Sequence, residues 1–333
     1  MKGQEERMRS LIVGTGSYAP EKILTNKDLE ALVQTNDEWI VERTGIRERH
    51  IAADSEATSD LALKASQKAL KMAGVRPEDV DLIVVGTITP DFPFPSSAAV
   101  LQAQLHNKKA FAFDVSAACA GSLYALSIAD RYVASGVARV ALVVGAEILT
   151  SITDWSDRNT CILFGDGAGA MVLVPTQDPN RGLLSTHLHT DGSMWPMLYT
   201  PGGGTRMRMS HKVLDERLNT VKMNGREVYK VAVRALEEVS REALGANGLQ
   251  PKDVNWVIAH QANKRILDST LDRLGIPAEK CWMNLERYGN TSSASVPMTL
   301  DEANRAGWFK TGDLILMMAI GGGMAWGSAL VRW

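Results

Sequence analysis

Two rhythms of apolar and polar positions alternate along the chain. Stretches with apolar residues every three to four positions give way to short, nearly continuous apolar runs, the pattern of an α/β fold with buried strands. The spacing predicts a helix over Thr58 to Ala73, a turn at Pro77-Glu78-Asp79-Val80-Asp81 and a strand over Leu82 to Thr87. The succession returns as a helix from about Val228 to Leu244, a turn at Pro251-Lys252-Asp253-Val254-Asn255 and a strand over Trp256 to His260. Pro77 and Pro251 lie 174 positions apart. The same offset places Arg139, before a strand Val140 to Val144, on Asp313, before a strand Leu314 to Met318, and Cys119 on Ser293. Three matches in order at one spacing point to two halves on a common βαβ plan, 1–175 and 176–333, meeting near Val172 to Pro179. The register shifts late, because the glycine stretches at Gly165 and Gly321 are only 156 apart, which a shorter second half explains.

Composition narrows the class. A chain of 333 residues with 45% hydrophobic and 22% charged residues can bury a large core divided between two packed units. A net charge of −2 argues against a nucleic-acid or anionic-membrane surface, although a local basic patch is invisible in the sum. Met1 to Ser10 carries Glu and Arg and no long apolar stretch, unlike a signal peptide. The apolar run Ile315 to Val331 is interrupted by Gly321, Gly322, Gly323 and Gly327 and reads as strand, turn and strand, not as a membrane span. Three cysteines without framework spacing fit reduced thiols in the cytoplasm, and Cys161 and Cys281 read as structural.

Cys119 carries the strongest chemical signal. Small and apolar residues lead to it, and no charge follows before Asp130, so it is expected where a buried strand or loop meets a helix start. Unpaired N–H groups and the helix dipole favour a thiolate there, while the plainer reading is a small core cysteine. His260 ends an apolar strand, where an imidazole emerges from the sheet edge, or is simply a satisfied structural histidine. Asn290 lies in a glycine- and hydroxyl-rich turn before a helix, where an N-cap or Asx-turn is also common. Together with backbone N–H groups at the Gly321 to Gly323 turn, His260 and Asn290 supply the donors that a cysteine nucleophile attacking a carbonyl requires. Against this, His187 and His189 alternate without a further cysteine or carboxylate cluster at ligand spacing, so no metal is expected. Gly14-Thr15-Gly16-Ser17 is an incomplete dinucleotide fingerprint, and Gly165 to Ala170 lacks the ending of a phosphate loop.

Asp114-Val115-Ser116-Ala117-Ala118-Cys119-Ala120-Gly121, His260-Gln261-Ala262-Asn263, the stretch Tyr288 to Pro297 and Gly321-Gly322-Gly323-Met324-Ala325-Trp326-Gly327 resemble β-ketoacyl-acyl-carrier-protein synthase III. Thr35 to Arg49 and Phe164 to Ala170 are further hallmarks, and the likeness runs from Leu11 to Trp333. The resemblance implies a thiolase-like, duplicated five-layer α/β/α/β/α fold. It also implies a Cys-His-Asn triad of Cys119, His260 and Asn290, where chain-elongating synthases resemble Cys-His-His and thiolases Cys-His-Cys.

By the same resemblance, an acyl-CoA primer acylates Cys119, and malonyl-acyl-carrier-protein is then decarboxylated, its enolate oxygen held by His260 and Asn290. His260 is expected to be neutral. The N–H groups of Cys119 and Gly322 form the oxyanion hole, and no cofactor is needed beyond acyl-CoA as substrate. Trp39 and Arg158 are implied to sandwich the CoA adenine, Arg43 to meet its phosphates, and Thr35, Gly225 and Asn263 to line the route. Lys230, Lys264 and Arg265 fall near its mouth, where an acidic carrier protein would dock. Phe94 matches a residue that crosses a homodimer interface to close the partner's acyl pocket. Two departures stand out: a long Gly192 to Val213 segment, and Met324-Ala325 where Phe-Thr is more usual. Two rival functions share the fold: a specialised acyltransferase or acyl-CoA condensing enzyme of secondary metabolism, and a non-catalytic acyl-CoA or carrier-protein binding subunit. The primer's length and branching are not readable from these residues.

Overall fold

The computed structural model describes residues 8–333, so the reading of Met1 to Ser10 falls almost wholly outside it. Five strands form the first sheet: β1 (Arg9–Tyr18), β2 (Leu82–Gly86), β3 (Phe111–Val115), β4 (Ala141–Glu147) and β5 (Gly167–Thr176), in the order β1-β5-β4-β2-β3. Strand β2 runs parallel to β3 and β4, while β5 is antiparallel to β4 and β1. The second sheet comprises β6 (Gly182–Thr190), β7 (Trp256–Ala259), β8 (Leu314–Gly321) and β9 (Ala325–Arg332), in the order β7-β8-β9-β6. It repeats the first sheet without its outer strand, where a single parallel bridge from Cys281 to Val257 remains. The run Ile315 to Val331 is thus the β8–β9 hairpin. Among the described residues, no helix is long and apolar enough to cross a membrane.

Seven helices of eight residues or more accompany the sheets: α1 (Asp37–Thr44), α2 (Thr58–Ala73), α3 (Ser97–Gln104), α4 (Gly121–Ala134), α5 (Gly225–Ala246), α6 (Lys264–Leu274) and α7 (Ser295–Arg305). Helices α2 and α3 cover the outer face of the first sheet, α4 and α7 lie between the sheets, and α5 and α6 cover the second. This is the five-layer α/β/α/β/α arrangement expected. Strands β2, β4 and β8, covered on both faces, are buried at every position, which is why their sequences are continuous apolar runs.

The 174-residue offset persists in the backbone. Short 3-10 turns at Ala118–Ala120 and Ser292–Ala294 precede α4 at Gly121 and α7 at Ser295. Ala118 (φ 45°) and Ser292 (φ 49°) both adopt left-handed backbone, which for a residue with a Cβ costs roughly 1–2 kcal/mol. The two turns pack against each other at the centre of the molecule, where the Ser293 hydroxyl lies against Gly86 and Gly121. Strands β4 and β8 each run three residues past the spans expected, to Glu147 and Gly321. Their ladders with β5 and β9 continue through residues that read as strand breakers in isolation.

Candidate active site

Strand β3 delivers the chain to Ala118, whose left-handed turn throws Cys119 inward just before α4 begins. Asp114, at the end of β3, accepts from the N–H groups of Ser97 and Ala98 at 2.8 Å and so locks this strand to α3. A Cβ at Gly321 would collide with the Cys119 amide nitrogen, so the close passage of β8 behind Cys119 depends on glycine there. Gly322 is packed against the Leu198 carbonyl. This anchors the long segment after Gly192, whose root is tied to Met324 by Asp191 N–H to Met324 C=O at 2.9 Å and the reciprocal bond at 3.1 Å. That segment is a 3-10 turn over Gly192–Met197, a two-residue strand pairing with Lys222–Met223 and a short helix His211–Asp215.

The thiol is 8% exposed, and burial pushes its pKa up to about 12; the Ser292 hydroxyl facing the sulfur pulls it down, and the charge of Glu147 raises it further. Loss of water around the sulfur thus opposes the thiolate that a helix start favours. His260 follows β7, its N–H donating to Met318 C=O at 2.8 Å. Burial holds its imidazole at about 4, with the nearby Ser292 backbone opposing, so it is neutral at ordinary pH. Both its buried ring nitrogens lack a hydrogen-bond partner in the protein.

Asn290 is fixed by its N–H to Leu163 C=O at 2.8 Å and by accepting from Gly165 N–H at 3.1 Å. Its Oδ1 accepts from Ser292 N–H at 2.9 Å, the Asx-turn that this residue type favours. With the oxygen engaged in this way, the amide nitrogen is the end left to donate. The hallmark carboxylate Asp166 is structural, accepting from Ala52 N–H at 2.8 Å and from the Thr150 hydroxyl at 2.6 Å. Cys161 and Cys281 are buried and free.

The residues assigned to the CoA route gather at a second place. Helix α1 ends at Gly45 (φ 83°) against the Lys264 side chain, and Asn263, the N-cap of α6, donates to Arg43 C=O at 2.9 Å. Arg43 and Arg158 lie 4.6 and 4.7 Å from the centroid of Trp39, so Arg158 already rests on the ring it was expected to face across an adenine. Thr35, just before the Asn36 N-cap of α1, has a buried hydroxyl without a partner. Gly225 opens α5. Lys230 pairs with Glu227 at 2.8 Å and Lys264 with Asp268 at 2.6 Å, while Arg265 lies 6.0 Å from the Tyr229 ring. Phe94 lies on the loop after β2 and is 86% exposed. His187 and His189 share the Glu242 carboxylate, and no group of three or more His, Cys, Asp or Glu among the described residues is arranged to hold a metal.

Two residues at the site escaped sequence reasoning. Ser292 sits within a motif already noted but had no role, and Glu147 is a lone carboxylate ending the apolar strand β4; that isolation was its only signal.

The descriptions "3-Oxoacyl-[acyl-carrier-protein (ACP)] synthase III" and "3-Oxoacyl-[acyl-carrier-protein (ACP)] synthase III C terminal" belong to family models that match residues 113–192 and 244–333. The β-ketoacyl-[acyl-carrier-protein] synthase III of Xanthomonas campestris pv. campestris is 54% identical over 98% of this chain and 99% of its own length. The crystal structure of 3-oxoacyl-[acyl-carrier-protein] synthase III from Aquifex aeolicus VF5 is 47% identical, covers 97% of this chain and 100% of that one, and gives a TM-score of 0.91. The corresponding enzyme from Pseudomonas aeruginosa PAO1 is 38% identical, covers 98% of each chain and gives 0.90. Fold and whole-length similarity thus agree: the chain belongs to the 3-oxoacyl-[acyl-carrier-protein] synthase III family.

Proposed function

We infer that the protein catalyses the decarboxylative Claisen condensation of an acyl-CoA primer with malonyl-acyl-carrier-protein, giving β-ketoacyl-acyl-carrier-protein and initiating fatty acid synthesis. One observation carries the reading. Turns from the two halves, 174 residues apart, meet at the centre and bring Cys119 and the Asn290–Ser292 turn together beside a neutral, unpartnered His260.

Cys119 is the nucleophile, and its acyl group is the electrophile of the second step. Charge developing on the acyl oxygen is met by the N–H groups of Cys119 and Gly322. His260, neutral and with free ring nitrogens, and the Asn290 amide nitrogen donate to the malonyl thioester oxygen as carbon dioxide leaves. A charged imidazole is not needed, because decarboxylation supplies the electron pair and the site only has to stabilise the enolate. Acyl-CoA approaches past Thr35, Trp39, Arg43, Arg158, Gly225 and Asn263, with Arg158 moving off the Trp39 ring to admit the adenine. The exposed cations Lys230, Lys264 and Arg265 exchange their local partners for an acidic carrier protein. Phe94 is covered in a homodimer, and the chain divides functionally into 1–175, carrying Cys119, and 176–333, carrying His260 and Asn290.

The test is a panel of acyl-CoAs supplied with malonyl-acyl-carrier-protein, with mass spectrometry following both acylation of Cys119 and β-ketoacyl product. Acylation followed by condensation supports the reading. Acylation without condensation overturns it in favour of a specialised acyltransferase, and absence of acylation with every primer points to a binding subunit.

A further inference from the structure

The reading above leaves one proton unassigned. Attack by Cys119 on a thioester breaks its S–H bond, yet His260 is held neutral by burial and resists becoming a cation. Creating an imidazolium and a thiolate together in a site closed to water would separate charge where separation is most costly. A buried acceptor that is already negative avoids that cost, because the charge is moved and no new pair is made.

Glu147 is such a group. It ends β4 fully buried, and among the described residues no Lys, Arg or His lies within ion-pair distance of it. Its oxygens accept from the Thr89 hydroxyl at 2.6 Å, the Thr87 hydroxyl at 3.1 Å, the N–H groups of Ile88 and Thr89 at 3.1 Å, and the Ser292 hydroxyl at 3.1 Å. Five donors make a charged carboxylate tolerable at this depth, although burial still raises its pKa to about 7. The loop after β2 presents only Thr87, Ile88 and Thr89 to it, and the turn before α7 presents Ser292. The turn before α4 presents Cys119, whose pKa the charge of Glu147 raises, and His260 faces the backbone of Ser292. Ser292 stands between Glu147 and Cys119, its hydroxyl bonded to the carboxylate and facing the Cys119 sulfur from a left-handed backbone that aims it.

We propose that Ser292 takes the Cys119 thiol proton while passing its own hydroxyl proton to Glu147, so that the buried negative charge moves from carboxylate to sulfur. The S–H bond breaks and a Ser292 O–H bond forms; the original Ser292 O–H bond breaks and a Glu147 O–H bond forms. The thiolate attacks the primer, and CoA departs as its thiolate and takes a proton from water. When condensation later expels Cys119 as thiolate, the proton returns from Glu147 through Ser292 and the site is reset. In this proposal Ser292, whose turn packs against the Cys119 turn, exchanges the proton with the sulfur, and Glu147 acts through it as a positioning residue. This deepens the function proposed above and rests on it.

The experiment compares wild type, Glu147→Gln and Glu147→Asp. It uses the acyl-CoA that acylates wild-type Cys119 fastest, measuring single-turnover acylation from pH 5.5 to 9 and, separately, malonyl-acyl-carrier-protein decarboxylation. Glu147→Gln is expected to slow acylation by about 10²–10⁴-fold, the usual size of a proton-transfer contribution, and to flatten the rise in rate near pH 7, with decarboxylation within about twofold of wild type. Glu147→Asp, which keeps the acid, should restore the pH dependence. Unchanged acylation and pH profile in Glu147→Gln overturn the inference, as does an equal fall in both reactions, which marks a structural role. If Glu147→Gln does not fold, Ser292→Ala is read by the same criteria, together with the pH dependence of Cys119 alkylation by iodoacetamide. Failure of wild type to acylate at all overturns the proposed function itself, a result distinguishable from each of these.

Discussion

At the scale of single residues, the site is built from groups whose ordinary chemistry has been altered by loss of water. Cys119 is a reluctant acid and His260 a reluctant base, and both shifts come chiefly from desolvation. Cys119→Ser is expected to abolish acyl transfer. His260→Ala and Asn290→Ala should keep acylation of Cys119 and lose decarboxylation by about 10²–10³-fold each, as for removal of one oxyanion donor, measured as carbon dioxide release. Burial also leaves a signature in stability. Glu147, raised to about 7 in the folded chain against 4.5 when exposed, binds its proton more tightly when folded, so its contribution is fully present below 4.5 and is lost as pH rises through 7. His260 works oppositely: at about 4 folded against 6.5 exposed, it costs stability as pH falls through that window. Glu147→Gln removes only the first effect. Its stability relative to wild type should therefore be higher at pH 8 than at pH 5 by about 2–3 kcal/mol, read from denaturant unfolding at the two pH values.

Among the elements, two junctions organise the chemistry. The passage of β8 behind the Cys119 turn admits no side chain at Gly321. Gly321→Ala should leave the helical content intact by circular dichroism and remove acylation, because the turn must shift before β8 can pass. The second junction is the meeting of α1 with α6, where Asn263 both caps α6, accepting from Arg265 N–H at 2.9 Å, and holds the α1 terminus through Arg43 C=O. Asn263→Ala is expected to cost about 1 kcal/mol, the usual value of an N-cap, and to raise KM for acyl-CoA more than it lowers kcat, since Trp39 and Arg43 ride on α1. A melting curve and a substrate titration separate the two effects.

For the whole molecule, duplication explains where the site lies. Each half places a left-handed turn before its central helix, and α4 and α7 pack between the sheets, so the two turns meet at the centre of the molecule. The halves are unequal: the second lacks an outer strand, and Gly321 in β8 stands at the position that Glu147 holds in β4. Phe94, 86% exposed with Phe92 53% exposed beside it, forms an apolar loop tip. If a second copy covers it, sedimentation at micromolar concentration will give a dimer, and Phe94→Asp will shift the distribution toward monomer. An unchanged monomer in wild type refutes that arrangement.

Much of this was legible in the chain itself. The periodicities placed α2 and the strands β2, β4, β7 and β8, and the offset between Pro77 and Pro251 anticipated the repeat that Ala118 and Ser292 share in their backbone angles. The motifs around Cys119, His260 and Asn290 carried the family resemblance and with it the candidate residues of the proposed site, since residue type and immediate neighbours are local information. Tertiary structure alone decided the electrostatics around Cys119. The thiol's burial and the Ser292 hydroxyl on Glu147 arise from groups up to 145 positions apart along the chain, whereas neutrality of His260 was already expected from the resemblance. Desolvation and hydrogen bonding depend on what surrounds a group in space, and a linear pattern reports only what precedes and follows it.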